Sequence, residues 1–189
     1  NTGKSTVFNA VTGLKAKTGN YPGVTVSRTV GIVKTADKQI TLEDLPGTYD
    51  LTPVSIDEKV VSDVLAGKIT GVAKPDAILL VADAGTLRRS FGLIADVISL
   101  GLPTVLCLTM IDELTRRGGS VDSGRLATAL GIPVVAIDGR RIGKDLIRDT
   151  LGQTLDQVHM RAFDDSRDIL GLGGFFTEVQ PHGHHIRSG

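Results

Sequence analysis

The sequence predicts an α/β fold in which a mostly parallel sheet carries helices on both faces. Two near-continuous apolar runs, residues 76–82 and 103–108, have the composition of strands that are buried on both faces, as parallel strands are. Helices are predicted at 87–100 and at 123–130, each after one of these strands. Because strands that alternate with helices of this length form βαβ units, we expect a parallel sheet.

The segment between the first helix and the first buried strand is more polar. Residues 14–27 contain several glycines and a proline and are predicted to form a long loop, of the kind that is often functional or mobile. Residues 29–34 and 39–43 are predicted to form two strands joined by a short turn. This pair is expected to be a β-hairpin.

Three further elements complete the predicted alternation. Residues 57–65 are predicted to form a helix, and Ser55 and Glu58 are predicted to cap its N-terminus as a capping box. A strand at 133–137 and a helix at 143–157 follow the second buried strand and its helix. The elements together are expected to form one domain.

Composition narrows the class of protein. A chain of 189 residues is long enough for one well-buried domain with a small appendage. The 21 basic residues balance the 21 acidic residues, so net charge gives no support for binding to nucleic acid or to an anionic membrane surface. The single cysteine, Cys107, excludes a disulfide within the chain, and its apolar neighbours indicate a core side chain rather than a nucleophile. No apolar run approaches the ~18–20 residues that cross a bilayer.

The first residues of the chain carry the end of a phosphate-binding motif. Gly3-Lys4-Ser5 fits the last part of the pattern G-x-x-x-x-G-K-[ST], and a helix is predicted to follow and to stop at Gly13. In such a loop the backbone N–H groups bind phosphate oxygens, Lys4 serves the β and γ phosphates, and Ser5 ligates Mg²⁺. The first glycine of the pattern and the strand that feeds the loop are expected to precede Asn1. The tripeptide alone is only weak evidence for a phosphate-binding loop, since an ordinary capped helix after a tight turn can have the same sequence.

A second motif, Asp44-Leu45-Pro46-Gly47, ends a predicted strand forty residues after Lys4. A carboxylate at Asp44 can hold Mg²⁺ through water. The Gly47 N–H can approach a γ-phosphate because no Cβ intervenes. A plain turn would explain the Pro-Gly pair, but its combination with the first motif at this spacing favours a nucleotide site.

A third motif, Thr109-Met110-Ile111-Asp112, follows the second buried strand and predicts a base-recognition site. Asp112 can accept from guanine N1–H and from the exocyclic amine, a pattern that adenine does not offer. GTP-binding proteins normally carry Asn at the position of Thr109, and the shorter side chain cannot imitate the paired donor and acceptor of the amide. Losing one neutral hydrogen bond costs about 0.5–1.5 kcal/mol, so guanine preference is expected to weaken but to survive on Asp112.

These motifs, with one more segment, resemble the cytosolic G domain of the FeoB family of bacterial ferrous-iron transporters. The resemblance is carried by residues 1–13, by Gly19-Asn20-Tyr21-Pro22-Gly23-Val24-Thr25-Val26, and by residues 44–51. The middle segment is the most specific, because generic small GTPases do not share it. The resemblance covers residues 1 to about 150. It implies a P-loop NTPase of the Ras-like G-domain class, with a G domain at 1–157 that lacks its first strand.

The resemblance also implies roles for individual residues. Thr25 is the first-switch threonine that closes on Mg²⁺ and the γ-phosphate, and Asn1 helps to bind K⁺ beside the phosphates. The switches at 16–27 and 47–57 are expected to order with the γ-phosphate and to relax after hydrolysis. The predicted nucleotide-binding set is Asn1, Thr2, Gly3, Lys4, Ser5, Thr6, Thr25, Asp44, Gly47, Thr109 and Asp112; within it Lys4, Thr25 and Gly47 are assigned to catalysis, Ser5, Thr25 and Asp44 to Mg²⁺, and Asn1 to K⁺.

Three positions depart from common GTPase patterns. Thr48 and Tyr49 follow Gly47, so no glutamine is available there to orient water, an absence that the FeoB family shares. Thr109 replaces Asn, and the base-capping segment at 136–138 lacks the usual Ser-Ala pair. Weak guanine binding or poor hydrolysis is therefore expected.

The sequence thus predicts GTP/GDP binding with Mg²⁺ and K⁺, and slow, K⁺-stimulated GTP hydrolysis, in the regulatory domain of a ferrous-iron transporter at the cytoplasmic face of the bacterial inner membrane. The expected partner is the membrane transport domain of the same longer chain, with Fe²⁺ as the transported ion that the G domain does not bind, and with no nucleic acid. Two alternatives stay open. One is a nucleotide-sensing module with little or no hydrolysis, and the other is a soluble ribosome- or tRNA-associated GTPase.

The tail at 158–189 does not continue the alternation of predicted strands and helices. It is predicted to be atypical and flexible. All four histidines of the chain lie at or beyond His159, and their spacing also allows a transition-metal site.

Overall fold

The structure, a computed structural model, describes residues 2–34, 39–48, 51, 54–137 and 154. The elements in chain order are α1 (Lys4–Thr12), β1 (Ala16–Asn20), β2 (Ser27–Lys34), β3 (Gln39–Asp44), α2 (Ile56–Leu65), β4 (Ile78–Asp83), a short 3₁₀ turn (Ala84–Thr86), α3 (Leu87–Ser99), β5 (Thr104–Thr109), α4 (Ile111–Arg116), α5 (Ser123–Leu130) and β6 (Val134–Ala136). Apart from Thr154, the predicted helix at 143–157 and the tail at 158–189 lie outside these residues.

The described strands form two three-stranded sheets. Strands β4, β5 and β6 are parallel, and Ile78 lies opposite Thr104 at one end of the β4–β5 pair while Asp83 lies opposite Thr109 at the other. This sheet confirms the predicted α/β fold, because α3 and α5 follow β4 and β5 as crossover helices. Strands β1, β2 and β3 are antiparallel, and the pairing from Thr29 opposite Asp44 to Lys34 opposite Gln39 confirms the predicted hairpin.

The prediction of a continuous loop at 14–27 is wrong. Residues Ala16–Asn20 form β1, which pairs with β2 from Ala16 opposite Gly31 to Asn20 opposite Ser27. Every residue of β1 is exposed, so the strand lacks the alternation of apolar and polar residues that reveals a strand in a sequence. It forms because the edge of β2 offers backbone partners, which is a tertiary effect rather than a local preference.

Helices cover both faces of the parallel sheet, as predicted. On one face Val7, Phe8 and Val11 of α1 pack in a core cluster with Leu79 and Val81 of β4. The same cluster contains Ile40 and Leu42 of β3, so α1 joins the two sheets. Cys107 belongs to this cluster and is fully buried, which raises the pKa of its thiol to about 12 and makes it unreactive.

The opposite face is covered by α2 and α3. Val61 and Val64 of α2 and Ile94 of α3 pack against Ile78 and Leu80 of β4. Because successive side chains of a strand point to opposite faces, residues 78, 80 and 82 of β4 serve this cluster while residues 79 and 81 serve the other. A strand that is buried on both sides therefore explains the apolar run in the sequence.

The ends of the helices follow the predicted signals. The Ser55 hydroxyl accepts from the Glu58 N–H at 3.2 Å and the Glu58 carboxylate accepts from the Ser55 N–H at 3.0 Å, which completes the capping box of α2. Gly13 and Gly131 adopt left-handed conformations after α1 and α5. In the described part of the chain, no helix is long and apolar enough to cross a membrane.

Candidate nucleotide-binding site

The phosphate loop turns into α1 at Gly3. This glycine has φ 75°, a left-handed conformation that residues with a Cβ adopt only at a cost. Among the described residues, no side chain caps the N-terminus of α1, and its first turn contains no acidic residue. The first N–H groups of a helix have no partner within it, so those of α1 keep their positive potential, which is the arrangement that binds phosphate.

Lys4 joins this loop to the end of β3. Its ammonium group lies 2.9 Å from Asp44 Oδ1 and donates a hydrogen bond of 2.5 Å to the Leu45 carbonyl oxygen. The side chains of Lys4 and Asp44 are 19% and 20% exposed, so the pair is accessible from one side. The structure thus brings together the two charged residues on which the predicted nucleotide site depends.

Thr109 joins the other side of the loop to the end of β5. Its hydroxyl group donates to the Thr2 carbonyl oxygen at 2.6 Å, and the Ala82 carbonyl oxygen lies 3.2 Å from it. A Cβ at Gly3 would lie 3.6 Å from Thr109 Cβ, so the loop packs directly on this strand end. Thr109 is 6% exposed, and its hydroxyl group is engaged with the protein. The side chain is therefore placed to hold the loop, while its predicted contact with the nucleotide stays a prediction.

A cavity of about 400 Å³ opens beside the Lys4–Asp44 pair. Its walls contain Thr25 as well as Lys4 and Asp44, so three residues assigned to phosphate or Mg²⁺ binding share one cavity. Asp57, in the first turn of α2, also lines it. Asp57 is not among the predicted site residues, although its place in the first turn of a helix, two residues after the cap Ser55, was a usable signal.

A larger cavity of about 960 Å³ lies between the C-terminal end of α1 and the antiparallel sheet. Lys15, Lys17 and Lys34 are among the residues that line it, and it contains none of the predicted site residues. The smaller cavity is therefore the candidate phosphate site.

Burial governs the charge of Asp44. Removal of water raises the pKa of this carboxyl above its ordinary value, and the adjacent Lys4 ammonium opposes the shift without cancelling it. Asp44 Oδ1 is buried and accepts no hydrogen bond of regular geometry from the described residues; the ion pair with Lys4 balances its charge. A cation at this oxygen would satisfy a group that the protein leaves poorly solvated.

The chemistry of the predicted donors fits Mg²⁺. Asp44 supplies a carboxylate, and Ser5 and Thr25 supply hydroxyl groups on exposed residues. Mg²⁺ prefers oxygen ligands and is usually held by one or two carboxylates together with substrate phosphates. No group of three or more His, Cys, Asp or Glu side chains that would form a protein-only metal site occurs among the residues described.

The segment assigned to base recognition starts at the end of β5. Met110 has φ 55° and precedes α4, which places Asp112 in the first helical turn. The Asp112 carboxylate is 3.5 Å from the Arg116 guanidinium group. Asp112 is 20% exposed at its side chain and remains accessible to a base.

The remaining predicted residues fall into two groups. Ser5, Thr6 and Gly47 are exposed in the described structure, and a Cβ at Gly47 would meet no atom within 4 Å. Asn1, which was assigned to K⁺, lies outside the described residues, as does Asp138 of the base-capping segment. Their roles stay predictions.

A buried polar cluster that the sequence did not predict lies beside the site. Glu43, the neighbour of Asp44, is fully buried and accepts hydrogen bonds from Tyr21 and Arg28. The Arg28 guanidinium also lies over the Tyr21 ring, 5.9 Å from its centre. A charged residue at a strand end normally indicates a solvent-exposed position, so nothing local marked Glu43 as buried.

The fold and these contacts define a P-loop NTPase domain, in which a loop at a helix N-terminus meets the carboxyl ends of the strands. A family model described as "Ferrous iron transport protein B" matches residues 1–150. The chain belongs to this family, FeoB, and the resemblance inferred from the sequence is confirmed.

Curated relatives carry the same family name. The Fe(2+) transporter FeoB of Salmonella typhimurium is 39% identical over 145 residues, which are 75% of this chain and 18% of the relative. An Fe(2+) transport protein A/Fe(2+) transporter FeoB fusion protein of Porphyromonas gingivalis is 38% identical over 159 residues, 84% of this chain and 18% of that protein. The chain spans about 18% of the length of these relatives.

Solved structures agree with this assignment. The G domain of T. maritima FeoB matches with a TM-score of 0.69 and 33% identity, over 86% of this chain and 93% of that chain. The cytosolic domain of L. pneumophila FeoB matches with a TM-score of 0.73 and 34% identity, over 84% and 64%. The cytosolic domain of T. maritima FeoB in GMPPNP form gives a TM-score of 0.73 and 33% identity, over 88% and 62%.

Proposed function

We propose that this chain binds and hydrolyses GTP as the regulatory domain of a ferrous-iron transporter. The observation that carries the proposal is the ion pair of 2.9 Å between Lys4 and Asp44 beside the cavity that Thr25 also lines. Guanine as the base is supported by the T. maritima relative, whose cytosolic domain is described in GMPPNP and GDP forms.

The residues divide the work of GTP hydrolysis between them. Lys4 exchanges Asp44 and the Leu45 carbonyl oxygen for the β and γ phosphates, while the first-turn N–H groups of α1 bind phosphate oxygens. Asp44 and the hydroxyl groups of Ser5 and Thr25 would hold Mg²⁺. When bound, Mg²⁺ neutralises charge on the β and γ phosphates. The Gly47 N–H would approach the γ-phosphate. Water attacks the γ-phosphorus in line with its bond to the β–γ bridging oxygen; that bond breaks, GDP leaves, and the proton of the water passes to the inorganic phosphate that forms.

The transport role rests on family membership. We infer that the domain acts at the cytoplasmic face of the bacterial inner membrane, on a membrane transport domain of the same longer chain that carries Fe²⁺. In the full-length transporter, Lys4→Ala is expected to lower ⁵⁵Fe²⁺ uptake while the amount of protein in the membrane stays unchanged. Unchanged uptake would separate the nucleotide site from transport.

A nucleotide sensor without meaningful turnover is the second candidate. It is favoured by Thr48, which occupies the position after Gly47, is 4% exposed and has no glutamine amide to orient an attacking water. If the domain hydrolyses GTP, catalysis then depends on electrostatic stabilisation of the transition state alone.

A single-turnover assay of phosphate release distinguishes the two candidates. The protein in excess over GTP, with Mg²⁺ and K⁺ present, is expected to release phosphate faster than the Lys4→Ala variant. Tight GTP binding with release no faster than in that variant would favour the sensor. Retention of labelled RNA at physiological salt would instead support the ribosome- or tRNA-associated alternative.

A further inference from the structure

A buried carboxylate lies directly beside the Mg²⁺ ligand Asp44. Glu43 is 0% exposed, and its Oε1 accepts from the Tyr21 hydroxyl group at 2.6 Å and from Arg28 Nε at 3.0 Å. Its Oε2 accepts from Arg28 Nη2 at 2.8 Å. Both oxygens are therefore bound, by two residues that come from the segment before β2 and from β2 itself.

These two partners bracket one loop, residues 21–26, which we call the Thr25 loop. The Tyr21 N–H donates to the Val26 carbonyl at 3.0 Å and the Val24 N–H donates to the Tyr21 carbonyl at 3.3 Å, so the loop is closed at its base. Tyr21 and Val26 are buried, whereas Thr25 is exposed and lines the phosphate cavity. The base of the loop is thus fixed, and Thr25, next to that base, faces the site.

We propose that Glu43 is a positioning residue that holds the Thr25 loop in register with Asp44, so that Thr25 and Asp44 reach the same Mg²⁺ and γ-phosphate. A buried ionised carboxylate is stable only when it is paired and hydrogen-bonded. If the loop moved away, Tyr21 would move with it and Glu43 would lose the hydrogen bond from the Tyr21 hydroxyl group. The energetic cost of that loss keeps the loop near the site.

This inference rests on the proposed function and narrows it. Thr25 is assigned to Mg²⁺ and the γ-phosphate, which GTP has and GDP lacks. A group that acts by placing Thr25 therefore affects binding of the triphosphate more than binding of the diphosphate. A residue that only supports the fold affects both nucleotides alike.

The test compares dissociation constants of fluorescent GMPPNP and GDP, with Mg²⁺, in the wild type and in Tyr21→Phe. The variant loses the hydrogen bond to Glu43 and keeps the ring. GMPPNP affinity is expected to fall by about tenfold or more, as for one hydrogen bond to a charged group, and GDP affinity by less than about twofold. Arg28→Lys, which keeps the charge but loses the paired geometry, is expected to show the same selective loss and serves if Tyr21→Phe does not fold.

Ile40→Val provides the matched control. Ile40 lies on the same strand as Glu43, is fully buried, and faces the core cluster of α1 rather than the Thr25 loop. The melting temperature of the Ile40→Val variant is expected to fall, while the ratio of its dissociation constants for GMPPNP and GDP stays at the wild-type value. A changed ratio in this control would show that any loss of stability produces the effect and would overturn the inference.

A double-mutant cycle with Thr25→Ala decides whether Tyr21 acts through Thr25. In the Thr25→Ala background, Tyr21→Phe is expected to leave the ratio of the GMPPNP and GDP dissociation constants unchanged, because the side chain that Tyr21 positions is gone. Additive losses, or equal losses for both nucleotides in the single variant, would overturn the positioning role. A wild-type protein that binds neither nucleotide would instead refute the proposed function itself.

Discussion

Lys4 Nζ lies 2.9 Å from Asp44 Oδ1 and 2.5 Å from the Leu45 carbonyl oxygen, so the phosphate loop is tied to the end of β3 by its own lysine. The lysine and the aspartate therefore lie side by side, and both line the candidate phosphate cavity. A bound nucleotide would replace the protein acceptors of Lys4 with phosphate oxygens. Because the fold holds both side chains at the cavity, binding would order few additional groups, which favours affinity.

Lys4→Ala is expected to abolish useful nucleotide binding. The lysine supplies charge-assisted hydrogen bonds to two phosphates, each worth about 1.5–3 kcal/mol, so affinity should fall by roughly 100-fold or more. The measurement is a titration with fluorescent GDP and GTP. Lys17→Ala, an exposed lysine of β1, serves as the control and should bind normally. A change of less than about threefold in Lys4→Ala would contradict the assignment of the site.

Asp44→Asn should separate stability from Mg²⁺ binding. Because burial raises the pKa of Asp44, the folded state holds this proton more tightly than the unfolded chain does. The contribution of Asp44 to stability is therefore present at low pH and is lost as the pH rises through the folded-state pKa.

The measurement is urea denaturation of both proteins from about pH 4 to pH 7, where carboxyl groups titrate. The free energy of unfolding of the wild type relative to Asp44→Asn is expected to fall as the pH rises. At neutral pH the variant should fold but lose Mg²⁺-dependent GTP binding. A wild-type advantage that grows with pH would show that Lys4 outweighs burial at this site.

Thr109→Val tests whether Thr109 serves the loop or the base. The variant removes the hydrogen bond of 2.6 Å to the Thr2 carbonyl oxygen, so it should lower stability by about 1–3 kcal/mol and weaken GTP and ATP binding by the same factor. Asp112→Ala should instead weaken GTP binding selectively. Titrations of both variants with both nucleotides make the comparison. A selective loss of GTP binding in Thr109→Val would place its side chain at the base.

Two glycines should respond differently to the same change. A Cβ at Gly31 would lie 2.4 Å from Thr12 Cγ2 and 3.0 Å from Phe8 Cζ, so Gly31→Ala is expected to destabilise the domain by about 1–3 kcal/mol through overpacking against α1. A Cβ at Gly47 meets nothing within 4 Å, so Gly47→Ala should leave the melting temperature unchanged while it weakens GMPPNP binding. Unfolding curves and nucleotide titrations test both. Normal GMPPNP binding in Gly47→Ala would remove Gly47 from the site.

Replacement of K⁺ by Na⁺ tests the role assigned to Asn1. If K⁺ stabilises charge beside the phosphates as an arginine finger does, single-turnover GTP hydrolysis should be slower in Na⁺ than in K⁺. Asn1→Ala should remove this difference without a change in GDP affinity. Equal rates in both salts for the wild type would contradict the potassium proposal.

Much of the fold was predictable because its strongest signals are local. The apolar runs of β4 and β5, the capping box of Ser55 and Glu58 and the stop at Gly131 each mark their element directly. Strand β1 left no such mark, since its residues are exposed and the edge of β2 orders them. Local pattern cannot report an edge strand whose stability comes from backbone pairing alone.

The sequence by itself determined the chemistry of the site: a glycine that permits the loop, a lysine for phosphate, a carboxylate at a strand end and an apolar sheet to support them. Only the tertiary structure decided which partners these groups have. The Thr109 hydroxyl group donates a hydrogen bond to the carbonyl oxygen of Thr2, 107 residues earlier in the chain. Glu43 is buried and accepts hydrogen bonds from Tyr21 and Arg28. The physical reason is that residue type fixes what a group can bind, whereas burial and long-range packing fix what it does bind.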